Sequence, residues 1–385
     1  MEFRFSEDQQ AISDAAEPVF GDLCSDETIN DLNAGDKPLH TELWQQLAES
    51  GMLGLVVDEE YGGLGMTLVE LCLIVELQGR YVAPVPLIPT LIECAMPLGR
   101  SDNVLLKEQI LPSVVSGELL LSPVRPAYGY VVINTLRASA SGGGWTVNGV
   151  SGLVPYASVA GGFVVSAPTD DGDLVLFYCA ADADGIAVTA QRTTSGELAG
   201  RLTFDAHTVS TEQVLATGSA ARDIAEKQKQ DACIGLAALQ VGVLSEGLKR
   251  TAEYVSQRKQ FGRPLGAFQA VSQQAANAYM SIESLRGVYW RALDDIEHDK
   301  DAGLSARVAK FWVGEAGHIA AHTILHLHGG IGQDIGYPVH RFFLWGKHNE
   351  RYHGTPEESA VDVGTLIAAD ATRVINVNTA LVNGE

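Results

Sequence analysis

The sequence predicts an α+β multidomain fold: an N-terminal α-helical domain over residues 1–118, a middle antiparallel β domain over 119–221 and a C-terminal four-helix bundle over 222–385. Three observations predict it. Apolar residues recur at three- and four-residue steps in both outer thirds. Short Val, Thr, Phe and Tyr runs broken by Gly and Asp fill the middle. At 385 residues, 46% hydrophobic and 19% charged, the chain has ample core for two or three domains, and it carries no internal repeat.

Taken in order, Ser6-Glu-Asp-Gln9 is a capping box that opens a helix running through Phe20. Leu43, Trp44, Leu47 and Ala48 form a second helical face that stops at Gly51. Gly54 to Gly65 reads as a loop, and an apolar helix follows from Thr67 to about Tyr81. The glycines of that loop make no dinucleotide fingerprint, because no strand and crossover helix frame them. Between 119 and 220, runs such as Gly144–Gly149, Phe163–Ser166, Leu174–Tyr178 and Arg201–Asp205 predict a small antiparallel barrel or sandwich. Helices are then predicted at 228–258, 266–296 and 303–328, as in a bundle of long antiparallel helices.

A net charge of -22 argues against nucleic acid or an anionic membrane as partner, since both repel an acidic field. The absence of an eighteen-residue apolar run and the Met1-Glu-Phe-Arg-Phe-Ser start predict a cytoplasmic protein. Cys24, Cys72, Cys94, Cys179 and Cys233 are scattered, which predicts neither a zinc site nor a disulfide framework.

The most informative stretch is Arg250 to Gln269. A long helix ends there, at a break made by Gly262, Pro264 and Gly266, and the break offers Arg258, Lys259, Gln260 and Phe261 at one helix end. A fork-shaped guanidinium, an amide and an aromatic ring together suit a diphosphate and its nucleoside. A bland reading also exists, in which the two cations offset the negative end of the helix dipole. The whole string, Tyr254-x3-Arg258-x-Gln260-Phe261-Gly262-x-Pro264-Leu265-x2-Phe268-Gln269, resembles the signature of the acyl-CoA dehydrogenase family. A second resemblance lies in His326-Leu-His328-Gly329-Gly330-Ile-Gly332, Tyr337-Pro338-Val339 and Tyr352-His353-Gly354-Thr355. Glu76 to Arg80 is similar to the family's Glu-x2-Gly-Arg helix end, so the resemblance spans essentially the whole chain and implies the acyl-CoA dehydrogenase fold.

That resemblance implies FAD as cofactor, an acyl-CoA substrate and an electron-transferring flavoprotein as acceptor. A carboxylate would take the α-proton while the β-hydride passes to the flavin. The family's Tyr-Glu-Gly-Thr base position is His353 here, and its minority position near the start of the long helix is Ala232. A neutral imidazole accepts protons, so His353 is the candidate base. Asp231, Glu350 and Glu357, nearby in sequence, are expected to face solvent. The two flavin-ring segments become Leu121–Tyr128 and Leu153–Ala157, where Ser122 and Tyr156 are the expected hydrogen-bonding candidates.

What the family uses for its own flavin is thus altered, and what it extends across a dimer interface is kept. Arg258, Gln260, Phe261, Phe268, Gln269, His326, Gly329 and Gly330, with Thr355, are the expected cofactor-binding residues. The pattern fits one subunit of a two-plus-two heteromeric enzyme resembling those that shorten steroid side chains, its partner supplying the catalytic glutamate. The alternatives are a homo-oligomeric dehydrogenase using His353 or a displaced carboxylate, a flavin-dependent oxidase or monooxygenase, and a non-enzymatic scaffold.

Overall fold

A computed structural model describes residues 5–35, 39–125 and 133–370. Ser6 caps α1 (Glu7–Leu23), its hydroxyl accepting from the Gln9 amide while the Gln9 side chain returns to Ser6. α2 (Asp26–Ala34) follows; its run DETINDLNA carries a single buried residue, Ile29, too weak a pattern for the sequence to reveal. α3 (Thr41–Glu49) ends before Gly51, whose φ of 74° only glycine adopts without cost. Thr67 and Glu70 make a second capping box at the head of α4 (Leu68–Tyr81). A π-helical turn, Ile88–Ala95, then leads through α5 (Met96–Gly99) to α6 (Val104–Val115).

The middle segment forms two four-stranded sheets. One has the order β1 (Leu121–Val124), β4 (Gly162–Pro168), β5 (Leu174–Ala180), β8 (Val214–Thr217). The other has the order β2 (Arg137–Ser141), β3 (Gly144–Pro155), β7 (Leu198–Val209), β6 (Ile186–Arg192). Phe163 and Phe177 of the first meet Val147, Leu202 and Phe204 of the second in one apolar layer, so the sandwich form is correct. The pairing is not wholly antiparallel: β1 runs parallel to β4, Leu121 opposite Gly162. A long excursion separates the two strands, which is what parallel neighbours require.

α7 (Gly218–Gln257), α8 (Gln269–Glu297) and α9 (Gly303–His328) are the three long helices, with α10 (Val339–Arg351) and α11 (Pro356–Ala369) completing the C-terminal domain. The two-residue strands β9 (Lys259–Gln260) and β10 (Arg263–Pro264) form a hairpin between α7 and α8. α7 is long and apolar enough to cross a bilayer by length and composition, yet 89% of its apolar window is buried in the bundle. It packs directly on α4. A Cβ on Gly242 would lie 2.0 Å from Glu76 O, and one on Gly79 would lie 2.1 Å from Leu239 O, so both glycines are needed for this crossing. The Glu76–Arg80 motif therefore has a packing role, reinforced by Glu76–Arg286 at 3.0 Å.

Candidate functional site

The family-like residues fall into two places. At one end of the bundle, α7 and α9 finish side by side, because the rings of Tyr254 and His328 stack at 4.5 Å with 23° between planes. His328 is thereby a buried ring, its Nδ1 bonded to the Ile324 carbonyl at 2.9 Å. This contact brings the two sequence signatures together. Arg258, Gln260 and Phe261 on the hairpin are exposed, Phe261 to 91% and with φ of 53°. Phe268 is half-buried, with the Arg263 guanidinium 4.0 Å over its ring, and Gln269 opens α8 facing solvent. On the neighbouring helix end, His326, Gly329 and Gly330 are exposed; Gly329 has φ of 63°, and a Cβ on either glycine would meet nothing. Exposed guanidinium, amide and bare backbone thus lie at the same end of the bundle, donors of the kind that phosphates take.

The second place is the turn after α10. Thr355 belongs here: it caps α11, its hydroxyl accepting from the Glu358 amide at 3.3 Å. Pro356 beside it packs on Gly314 of α9. Fifteen residues of helix separate Gly314 from Gly329, roughly 22 Å. The structure therefore sets Thr355 and His353 apart from the other expected site residues.

His353 is held in the left-handed region, φ 61°, and its side chain is fully buried. Its Nε2 lies 2.9 Å from Glu93 Oε1, and its Nδ1 lies 3.1 Å from Arg125 Nη1. Arg125 Nη1 also lies 2.9 Å from Nε2, so the guanidinium spans both ring nitrogens. Arg125 Nε is 3.0 Å from Glu93 Oε1, and the Tyr352 hydroxyl donates to Glu93 Oε2 at 2.9 Å. Burial, with the Arg125 charge, pushes the imidazole down to about 4. Burial opposes ionisation of Glu93, but Arg125, His353 and the two hydrogen bonds outweigh it and hold the carboxyl below its usual range. Lys310, itself buried, donates to the Glu350 and Gly354 carbonyls at 3.1 and 2.8 Å and so fixes the turn.

Sequence reasoning missed Glu93, because it lies 260 positions from His353 in an apolar run that reads as packing. Asp231 and Glu350, expected at the surface, are buried instead. Asp231 meets Arg100 at 2.5 Å and Glu350 pairs with Lys347, so each buried charge has its counter-ion. Glu357 is exposed as expected. Ser122 gives its hydroxyl to the Pro155 carbonyl, and Tyr156 is fully buried, which leaves neither side chain free to face a ligand. Pro126 to Tyr128 lie outside the described residues.

Beside the His353 turn is a pocket of about 500 Å³ between β3, β6 and α10. Glu197, His348 and Tyr352 also border a second cavity, of about 30 Å³, lined by Gln78, Ile88, Leu236 and Leu239. That is room for about one water.

Residues 6–118 match the acyl-CoA dehydrogenase N-terminal domain, and residues 223–364 match the acyl-CoA dehydrogenase C-terminal domain. The acyl-CoA dehydrogenase FadE27 of Mycobacterium tuberculosis is 33% identical over 358 residues, 91% of this chain and 94% of its own length. Among solved structures, the ChsE4-ChsE5 complex of Mycobacterium tuberculosis superposes with a TM-score of 0.90 at 32% identity, covering 96% of this chain and 99% of that one. A variant of the Tcur3481-Tcur3483 steroid ACAD gives 0.87 at 37% identity, covering 95% and 99%. The chain belongs to the acyl-CoA dehydrogenase family, whose members are FAD-dependent oxidoreductases.

Proposed function

We propose that this chain is the non-catalytic half of a heteromeric acyl-CoA dehydrogenase, lending its bundle-end turns to a flavin seated mainly in a homologous partner that carries the catalytic glutamate. The observation that carries this reading is the contrast between the two places. The base position is His353, engaged by Glu93 and Arg125, and the cavity of about 30 Å³ next to Tyr352 is too small for an acyl tail. Arg258, Gln260, Phe261 and Gly329, by contrast, face open space.

In the complex, Arg258 and Gln260 would hold the diphosphate, with Phe261, Phe268, Gln269, His326 and the Gly329–Gly330 backbone against the nucleoside. The bound FAD supplies the acceptor for the β-hydride. A steroid side-chain thioester as substrate is supported by the steroid ACAD and by the heteromeric complex among the similar structures. An electron-transferring flavoprotein is the acceptor in keeping with the family.

The rival reading makes Glu93 the displaced carboxylate base of a self-sufficient enzyme. Full burial, an ionised Arg125 partner and a depressed pKa make it a poor proton acceptor. The test is Arg258→Ala in the chain co-purified with a relative that keeps Tyr-Glu-Gly-Thr. Loss of flavin and turnover from the complex with the assembly intact is expected; full flavin content and full turnover would overturn the trans role.

A further inference from the structure

α9 carries two exposed histidines one turn apart, in the run His318-Ile-Ala-Ala-His322. Their rings lie 4.8 Å apart with 59° between planes. Histidines at this spacing share one helix face, the arrangement that brings two imidazole nitrogens to one metal ion. α10 packs alongside, Phe343 against the His322 ring, and adds a carboxylate: His318 Nδ1 is 3.7 Å from Glu350 Oε2. Two ligands of a tetrahedral zinc, each about 2.1 Å from it, stand roughly 3.4 Å apart, so this pair is close to ligating distance already.

No three ligating groups among the described residues meet at one open point as the side chains stand. A cation occupies the place instead: the Lys347 ammonium donates to His318 Nδ1 at 3.1 Å and pairs with Glu350 Oε2. An ammonium only donates, so His318 Nδ1 presents its lone pair, as metal ligation requires. Burial first, then Lys347 and His318, hold the His322 ring below its usual pKa against the pull of Glu350, which keeps it neutral near pH 7. The Glu350 side chain is only 6% exposed, and a carboxylate so buried needs a cation beside it. Lys347, 26% exposed on a flexible stem, can withdraw to water, and a metal ion taking its place would leave Glu350 compensated.

We propose that His318, His322 and Glu350 form a zinc site, filled when the metal displaces the Lys347 ammonium, with water as the fourth ligand. Two imidazoles and a carboxylate suit a borderline ion such as zinc, whereas magnesium prefers oxygen ligands throughout. Ile319 follows His318 where zinc hydrolases with this histidine spacing carry a glutamate base, so the metal serves as a clasp between α9 and α10 and not as a hydrolytic centre. No cysteine takes part. This site does not depend on the flavin lying across the interface.

Isothermal titration of the full chain, free of any histidine tag and in whatever assembly it purifies, uses zinc chloride, with magnesium chloride as the control. One zinc per chain, with magnesium silent, is expected. His318→Ala and His322→Ala should each weaken zinc binding about tenfold or more, the loss of one ligand. Both histidines are exposed, so these variants keep their fold, checked by circular dichroism. Lys347→Ala should act in the opposite direction, tightening zinc about tenfold because the competing ammonium is gone, and zinc should restore the melting temperature that this variant loses. No zinc binding, equal binding of magnesium, affinity unchanged in either histidine variant, or zinc affinity not raised by Lys347→Ala would each overturn the proposal. So would loss of binding in His326→Ala with His318→Ala silent, since that would put the metal one turn further along α9.

Discussion

Glu93 Oε1 and His353 Nε2 lie 2.9 Å apart although 260 positions separate them in the chain. The contact joins the π-helical turn to the turn that carries the base elsewhere in the family. Arg125 closes the cluster from β1's end, 3.0 Å from the same carboxylate oxygen. A substrate's α-proton needs an open basic atom; here both acceptors are already engaged.

Removing the carboxylate should therefore harm stability before anything else. Glu93→Gln leaves the Arg125 charge without its buried counter-ion, a loss of about 3 kcal/mol. Urea unfolding of the isolated chain measures it, and a change below about 1 kcal/mol would mean water already reaches the cluster.

The cluster also sets an acid limb. An unfolded imidazole takes a proton near 6.5, whereas His353 in the fold resists until about 4. Its contribution is full above pH 6.5 and declines as pH falls toward 4. Glu93, held below its usual value, loses its contribution as pH falls through that lowered value, in the same direction. The urea midpoint should thus drop between pH 6.5 and 4, and His353→Gln should flatten the drop; an unchanged slope would place the titration elsewhere.

Where α4 crosses α7, Gly79→Ala drives a methyl into the Leu239 carbonyl, which its Cβ would meet at 2.1 Å. Two packed helices must separate, so a loss above about 2 kcal/mol is expected in thermal or urea unfolding. A near-neutral result would show the crossing to be looser than drawn.

His328→Ala removes the stack on Tyr254 that sets the two bundle-end turns beside each other. Stability should fall by about 1 kcal/mol beyond the lost burial, and flavin retention in the complex should fall with it. Weaker folding with unaltered flavin binding would separate the stack from the site.

Much of this was readable in advance because its causes are local. The Ser6–Gln9 capping box, the helix starting after Thr67 and the three long helices depend on spacing within a few residues. The bundle-end motif was legible for the same reason, with Arg258 to Gln269 one continuous string. What escaped depends on distant partners. Glu93 and Arg125 carry no local sign of their pairing, and Asp231 looked solvent-facing because Arg100 arrives from 131 positions away. The parallel β1–β4 pair leaves no mark on either strand, since a four-residue apolar run suits both directions.

Counting FAD by visible absorption, in the purified chain alone and with a co-expressed relative that keeps Tyr-Glu-Gly-Thr, separates a flavin shared across unlike subunits from one held by each chain. We predict a colourless lone chain and about one FAD for each pair of unlike subunits in the complex. One flavin bound to every lone chain and bleached by an acyl-CoA would contradict it, and would return His353 and Glu93 to the role of base.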